Sequence, residues 1–135
     1  MDSTIRGRRW PMALKEALAP FDLRLAVLFG SMARGDARPD SDLDVAVLAQ
    51  APLSAEQTSR IVEALVLACD RPVDLVDLHD AGEPLLGRIV AEGQPFLGSS
   101  SEWGNLLSRH LANQADFVPL QNHILRTRRE AWIKR

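Results

Sequence analysis

Tyrosine is absent from this chain of 135 residues, and cysteine occurs only once. The lone Cys69 excludes a disulfide within the chain and also excludes a cysteine-rich metal site. The three histidines, His79, His110 and His123, lie far apart in the sequence and do not have the spacing of zinc ligands. These absences exclude a disulfide-stabilised scaffold and a zinc site built from the usual sequence motifs.

Long apolar runs are missing as well. The arginines within positions 6–9 are followed by charged residues and prolines and not by an extended apolar segment, so we predict neither a signal peptide nor a membrane span. The formal net charge of −2 gives no global electrostatic basis for binding nucleic acid. We therefore expect a cytoplasmic protein that contacts neither a membrane nor nucleic acid directly.

What is present is an ordinary globular composition, with 46% hydrophobic and 25% charged residues. Apolar runs of strand length alternate with segments of helical periodicity. The predicted strands cover residues 23–29, 42–48, 73–78 and 95–97, and the predicted helices cover 11–19, 54–69, 84 to about 92, and 102 onward. We predict a single α/β (α+β) domain with a small mixed sheet flanked by helices, its core over residues 1–98 and a helical C-terminal extension over residues 99–135.

Two breaks are predicted in the second half of the chain. Residues 98–101 have the glycine and serine composition of a linker. Pro119 is expected to kink or divide the C-terminal helix, because proline removes a backbone donor and its ring clashes with the preceding turn.

Two aspartates, Asp42 and Asp44, open the second predicted strand. Alternate residues of a strand point the same way, so these carboxylates share a face and lie about 7 Å apart along the backbone. Two unpaired carboxylates on one face repel each other and resist joint ionisation. A divalent cation relieves that repulsion, and Mg²⁺ prefers oxygen ligands and commonly shares its coordination shell with substrate phosphates. The pair therefore predicts a magnesium site.

The loop before these aspartates has the features of a phosphate site. Gly30 allows the backbone to approach a ligand closely. Ser31 and the residues after it have the pattern of a short helix, whose free N–H groups attract phosphate, and Arg34 adds positive charge. We predict that Gly30, Ser31 and Arg34 contact phosphate next to the metal carboxylates.

The spacing of these residues resembles a known superfamily. Gly30-Ser31, ten intervening residues and Asp42-x-Asp44 form the pattern of the nucleotidyltransferases related to DNA polymerase β and to the kanamycin nucleotidyltransferases. The fuller string GSxARGxxxxxSDLDxxV is similar to the minimal nucleotidyltransferase branch, which includes antitoxins paired with HEPN toxins. The resemblance implies a polymerase-β-like nucleotidyltransferase fold, ATP as the substrate and transfer of AMP to an acceptor hydroxyl.

The resemblance also implies two Mg²⁺ ions and a third aspartate. Asp42 and Asp44 would bind both ions, and Gly30 and Ser31 would hold the β- and γ-phosphates. The string Val73-Asp74-Leu75-Val76-Asp77-Leu78 offers two candidates for the third acid. They have opposite parity, so they cannot face the same side of one regular strand. The family pattern corresponds to Asp74, which would bind the catalytic ion and help to deprotonate the acceptor.

The acceptor is the open part of the prediction. The minimal branch implies a tyrosine of a partner HEPN ribonuclease toxin, and the absence of tyrosine here excludes self-modification at such a residue. One alternative is a nucleotidyltransferase that modifies an antibiotic, although only about thirty-five residues follow Gly98 to form a substrate domain. A second alternative is a non-catalytic antitoxin that acts by binding alone.

Overall fold

The computed structural model describes the backbone of residues 10–129 and the side chains of residues 10–115. The arginines within positions 6–9 and the end of the predicted extension lie outside the described residues. The elements, in chain order, are α1 (Trp10–Leu18), β1 (Leu23–Phe29), α2 (Ser31–Arg34), β2 (Leu43–Ala49), α3 (Ala55–Cys69), β3 (Val73–Asp77), α4 (Leu85–Glu92), β4 (Gln94–Gly98) and α5 (Ser100–Arg129). The predicted order of helices and strands is confirmed.

The four strands form one mixed sheet in the order β3-β2-β1-β4. β1 pairs antiparallel with both β2 and β4, whereas β2 pairs parallel with β3. The parallel pair needs a long crossover, and α3 provides it. The prediction of a small mixed sheet flanked by helices is therefore confirmed.

Helices cover both faces of the sheet, which explains why β1 and β2 are apolar without alternation. On one face α1 and α3 pack against the sheet through a buried cluster of Leu14, Leu18, Ala26, Leu28, Leu43, Val45, Val47, Ile61, Leu65 and Cys69. On the other face α4 and the start of α5 pack through Leu25, Val27, Phe29, Ala46, Leu78, Leu86, Ile89 and Leu106. We call these the first and second core faces.

The crossover helix α3 begins with a capping box. The Ser54 hydroxyl accepts a hydrogen bond from the Gln57 N–H at 3.1 Å, and the Gln57 side chain accepts one from the Ser54 N–H at 2.8 Å. Two of the unpaired donors at the helix start are thereby satisfied. The helix ends at Cys69, and the capping residue Asp70 has a φ of 56°, in the left-handed region.

The predicted linker at residues 98–101 is wrong, because β4 runs to Gly98 and α5 begins at Ser100. A side chain at Gly98 would place its Cβ 2.5 Å from the Arg24 carbonyl oxygen, so this glycine permits the close approach of β4 to β1. The Ser99 hydroxyl accepts a hydrogen bond from the Glu102 N–H at 3.2 Å, as a helix-capping serine does. The small residues therefore serve the strand and the helix start and not a flexible connection.

The start of α5 is attached to the sheet by apolar and polar contacts. Leu106 is buried, and Trp103 is half-buried against the second core face. The Arg24 guanidinium donates two hydrogen bonds of 3.0 Å to the Glu102 carboxylate. One helix spans Pro119, so this proline does not divide the helix, and the alternative expectation of a kink stays a prediction. Within the described residues, no helix is both long and apolar enough to cross a membrane.

Substitution of two leucines of α5 would test whether this helix contributes to the hydrophobic core. Leu106 is 3% exposed, whereas Leu111 is 63% exposed. We expect Leu106→Ala to lower the free energy of unfolding by about 2–5 kcal/mol, because it removes buried apolar atoms and leaves a cavity. Leu111→Ala should change it by less than about 0.5 kcal/mol. Urea unfolding of both variants measures this, and equal small effects would show that α5 does not contribute to the fold.

Candidate active site

The ends of three strands meet at one edge of the sheet. Phe29 pairs with Asp44 across β1 and β2, and Asp44 pairs with Asp74 across β2 and β3. Because parallel strands in register present equivalent residues on the same face, Asp44 and Asp74 stand side by side. Both belong to the second core face, beyond the point where its apolar packing ends. The structure therefore brings together two of the three predicted acids on one face.

The electrostatics of Asp44 reflect this position. Burial raises the pKa of its carboxyl, and the neighbouring charges of Asp74 and then Asp42 raise it further. The positive charge of Arg88 acts in the opposite direction. The expected repulsion between Asp42 and Asp44 is thus present, and Asp74 adds to it. Asp42 precedes the first residue of β2 and is exposed, so it lies at the outer side of the group.

Hard carboxylate oxygens are the ligand type that Mg²⁺ prefers, so the chemistry of Asp42, Asp44 and Asp74 fits this metal. The mutual repulsion acting on Asp44 is also what a cation would relieve. In the part of the chain that the structure describes, however, no three His, Cys, Asp or Glu side chains are already grouped as a complete metal site. The acids are adjacent in the fold but are not pre-formed as a three-carboxylate cage.

Position 30 requires a glycine, because the Asp44 carboxylate occupies the space that a side chain would need. Its φ of 77° lies in the left-handed region, and a Cβ added there would lie 2.1 Å from Asp44 Oδ2. Any side chain at this position would therefore displace the carboxylate. The close approach also places Ser31, the first residue of the short helix α2, directly after the acid site. Gly30 and Ser31 are thus beside the acids, as the sequence motif predicts.

Arg34 is held by other acidic groups. Its guanidinium donates hydrogen bonds of 3.3 Å to Asp36 and to Glu92 of α4. The Asp36 hydrogen bond and charge, assisted by Glu92, raise the pKa of Arg34 above its ordinary value. The predicted contact of Arg34 with phosphate would require these bonds to be exchanged, and it stays a prediction.

Asp77 has a structural role that its position predicts. Its carboxylate accepts hydrogen bonds from the Leu53 N–H at 2.8 Å and the His79 N–H at 3.0 Å. The His79 ring Nε2 lies 2.8 Å from the Ala49 carbonyl oxygen, far along β2 from Asp44. Strand parity therefore separates Asp74 from Asp77 as expected, and His79 is an exposed residue that lies away from the acids.

Sequence reasoning missed Arg71, which holds the loop between Gly35 and Asp42. This arginine is only 6% exposed, and its Nη1 donates hydrogen bonds of 3.0 Å to the carbonyl oxygens of Arg38 and Ser41. The loop and the start of β3 are thereby joined just before Asp42 and Asp74. Its sequence signal is weak, because an arginine between the end of a helix and Pro72 has the pattern of an exposed turn.

Sequence reasoning also missed Arg88 and Glu92 on α4. The guanidinium carbon of Arg88 lies 5.9 Å from the centre of the Phe29 ring, next to the strand end that pairs with Asp44. Glu92 accepts the hydrogen bond from Arg34 and lies 3.9 Å from an Arg88 nitrogen. Neither residue could be identified from the sequence, because the pattern of an amphipathic helix does not show which part of the fold its polar face lies next to.

A cleft of about 360 Å³ lies at the opposite end of the sheet. Its lining includes Phe21, Leu53 and Ile61, which flank the start of β1 and the residues after β2. The acids and Gly30 do not line it. The candidate site at the carboxylate edge is therefore separate from this cleft.

Residues 13–102 match the family described as polymerase beta, nucleotidyltransferase. The match includes Gly30, Ser31 and the three aspartates of the candidate site. The chain belongs to the polymerase beta nucleotidyltransferase family, and the resemblance in the sequence motif is confirmed.

Individual proteins of known structure or activity are also similar to this chain. An 80-residue stretch is 36% identical to the protein adenylyltransferase MntA of Shewanella oneidensis, and it covers 59% of this chain and 58% of that relative. A chain of a toxin–antitoxin crystal structure with AMP-PNP is 27% identical, with a TM-score of 0.69 over 90% of this chain and 93% of that chain. A chain of an MntA–HepT toxin–antitoxin structure is 25% identical, with a TM-score of 0.62 over 90% and 91% of the two chains.

Gly30 and Gly35 provide a matched test of the contact with Asp44. Both have positive φ values, but a Cβ at Gly35 would meet nothing within 4 Å. We expect Gly35→Ala to cost about 1 kcal/mol of stability from backbone strain alone and to keep binding of Mg²⁺ with ATP. Gly30→Ala should lose at least about tenfold in that affinity, because its Cβ displaces the carboxylate. Isothermal calorimetry measures both, and unchanged affinity in Gly30→Ala would contradict the contact.

The raised pKa of Asp44 predicts a gain of stability on its neutralisation. A raised pKa means that ionisation is less favourable in the folded than in the unfolded chain, so the ionised group lowers stability above the folded pKa. Below the unfolded pKa this penalty is absent. Without Mg²⁺, we expect Asp44→Asn to unfold at higher urea concentration than wild type at pH 7, with the difference shrinking as the pH falls.

The control for this experiment is Asp22→Asn, an exposed aspartate before β1 at the other end of the sheet. It should leave the midpoint of urea unfolding close to that of wild type at pH 7 and at lower pH. If Asp44→Asn and wild type keep the same difference in stability at every pH, the carboxylate does not carry the charge penalty.

Proposed function

We propose that this chain is a Mg²⁺-dependent nucleotidyltransferase that transfers AMP from ATP to a tyrosine hydroxyl of a partner HEPN ribonuclease toxin and thereby neutralises it. The observation that carries the proposal is the adjacency of Asp44 and Asp74 across β2 and β3, with Gly30 in contact with Asp44. Membership of the nucleotidyltransferase family supports the reaction class.

In the proposed reaction the acceptor oxygen forms a bond to the α-phosphorus of ATP, the bond to the β-phosphate breaks, and pyrophosphate leaves. The acceptor proton passes to Asp74 or to solvent beside it. When bound, two Mg²⁺ ions would supply charge neutralisation for the phosphates and lower the pKa of the acceptor hydroxyl. Asp42, Asp44 and Asp74 would hold these ions, and Asp74 would orient the acceptor.

In this proposal Gly30 and Ser31 would hold the β- and γ-phosphates. They follow β1 directly, and the left-handed Gly30 lets the backbone pass close to the acids. Arg34 would add charge at the leaving pyrophosphate by exchanging its hydrogen bonds with Asp36 and Glu92. The proposed role of the chain is thus mainly to position the substrate and to arrange charge around it.

The proposed acceptor follows from the relatives and from the composition. MntA of Shewanella oneidensis is a protein adenylyltransferase, and two of the similar solved structures are toxin–antitoxin structures. Because this chain contains no tyrosine, a tyrosine acceptor must belong to another molecule. The proposed docking element is the helical extension over residues 99–135, in which Leu111 is an exposed apolar side chain.

Asp74 and Asp77 test the reaction and the choice of the third acid. The full chain is incubated with Mg²⁺, ATP labelled at the α-phosphate and the purified HEPN toxin proposed as its partner. Wild type should label that protein, whereas ATP labelled at the γ-phosphate should not. Asp74→Asn should slow labelling by at least about 100-fold, because the acceptor loses its base and the ion loses a ligand. Asp77→Asn should keep most of the activity at a cost of about 1 kcal/mol in stability, since its hydrogen bonds hold Leu53 and His79.

Chelation of Mg²⁺ provides the second arm of the experiment and should stop labelling completely. Labelling of a small hydroxylated antibiotic in place of the protein would support the small-molecule alternative. Neutralisation of the toxin by Asp74→Asn without any labelling would support the non-catalytic antitoxin. Rapid labelling by Asp74→Asn together with none by Asp77→Asn would overturn the assignment of the third acid.

A further inference from the structure

We propose that Arg88 is a phosphate-binding residue, which contacts the triphosphate of the nucleotide at the acid edge of the sheet. The inference rests on the proposed function and extends it to a residue outside the sequence motif. It starts from the position of α4, which packs on the second core face through Leu86 and Ile89.

Arg88 lies near Asp44, and Phe29 contacts the first residue and pairs with the second. Its guanidinium carbon lies 5.9 Å from the centre of the Phe29 ring, within the range of a cation–π contact. Phe29 is the last residue of β1 and pairs with Asp44. The arginine head group therefore stands over the same strand end as Gly30 and the acids, on the face toward which Asp44 and Asp74 point.

The head group of Arg88 is available for a ligand. The Arg88 side chain is 54% exposed, and its ion pair with Glu92 is a loose one at 3.9 Å. An exposed ion pair of this kind contributes little to stability, so exchanging it for a phosphate costs little. Arg34, by contrast, donates hydrogen bonds to both Asp36 and Glu92. Of these two arginines at the site, Arg88 is the one held more weakly.

The charge around the site favours a phosphate contact at this place. A triphosphate that approaches Asp42, Asp44 and Asp74 brings more negative charge to an edge where carboxylates already repel each other. A guanidinium is always charged at neutral pH, and its planar fork matches two phosphate oxygens. Arg88 can therefore bind the phosphates directly while the carboxylates bind them through metal.

The platform under Arg88 is well fixed. Glu83, just before α4, accepts a hydrogen bond from Asn113 at 3.1 Å and lies 2.8 Å from His110 Nδ1, both on α5. Arg109 of α5 donates a hydrogen bond of 3.0 Å to the Ala81 carbonyl oxygen. Helices α4 and α5 approach closely at Gly87, where a Cβ would lie 3.1 Å from His110 Cε1. The backbone that carries Arg88 is therefore held in place by the contacts between α4 and α5.

The test compares Arg88→Met with wild type in the full chain. Methionine keeps an apolar stem against Phe29 but has no charge. Calorimetry with Mg²⁺ measures the affinity for ATP and for inorganic triphosphate, which has no base or ribose. We expect Arg88→Met to weaken both by about 10- to 100-fold and by similar factors, because the lost contact is to phosphate. Arg88→Lys should recover part of the loss, since it restores the charge but not the fork.

Arg60→Met is the matched control, because Arg60 is an exposed arginine of α3 that lines the distant cleft. It should leave both affinities within about twofold. Thermal unfolding of each variant shows whether the fold is retained. If Arg88→Met keeps full affinity for both ligands, or loses affinity for ATP alone, the phosphate contact is refuted.

The two proposals fail in different ways. A wild-type chain that binds triphosphate but neither binds ATP nor labels a protein would refute the proposed function, while the triphosphate measurement still decides the role of Arg88. A wild-type chain that labels its partner, with Arg88→Met showing unchanged affinity for ATP, would refute the role of Arg88 alone.

Discussion

Asp44 and Asp74 lie opposite each other because β2 and β3 run parallel, with residues 43–47 against residues 73–77. This register depends on α3, which returns the chain across the first core face so that the two strands can point the same way. Like charges on neighbouring strands are unfavourable, and burial adds to the cost at Asp44. The fold therefore maintains an arrangement that is locally destabilising without a cation, which is typical of a site selected for binding.

The contacts around the acids show how the rest of the structure supports this arrangement. Gly30 leaves room for the Asp44 carboxylate, and buried Arg71 ties the preceding loop to the turn before β3. On α4, Glu92 lies between Arg34 and Arg88 and so balances the positive charge at the edge. The three arginines thus differ: one fixes backbone, one is bonded to neighbouring acids, and one remains loosely paired beside the acids.

Local pattern was sufficient to predict the elements and the acids on them. The apolar runs of β1 and β2 and the capping box of α3 are signals within a few residues of sequence, and parity together with the family pattern distinguished Asp74 from Asp77. Arg71, Arg88 and the contacts of Glu83 with α5 could not be predicted, because each depends on elements brought together by the fold. Gly98 was misinterpreted for the same reason: its small size serves a neighbouring strand, and no local pattern distinguishes that from a flexible linker.

β3 is the last strand of the sheet on its side, with β2 as its neighbour among the described strands. Asp74 is consequently exposed, while Asp44 one strand inward is only partly so. The two carboxylates therefore differ in accessibility: Asp44 is partly shielded, whereas Asp74 can be reached from the side of the sheet. A bulky acceptor, such as a side chain on the surface of another folded molecule, can approach Asp74 without the sheet having to open. A deep enclosed pocket would admit only small acceptors, whereas in the proposed reaction the placement of Asp74 on an edge strand would leave room for a large one.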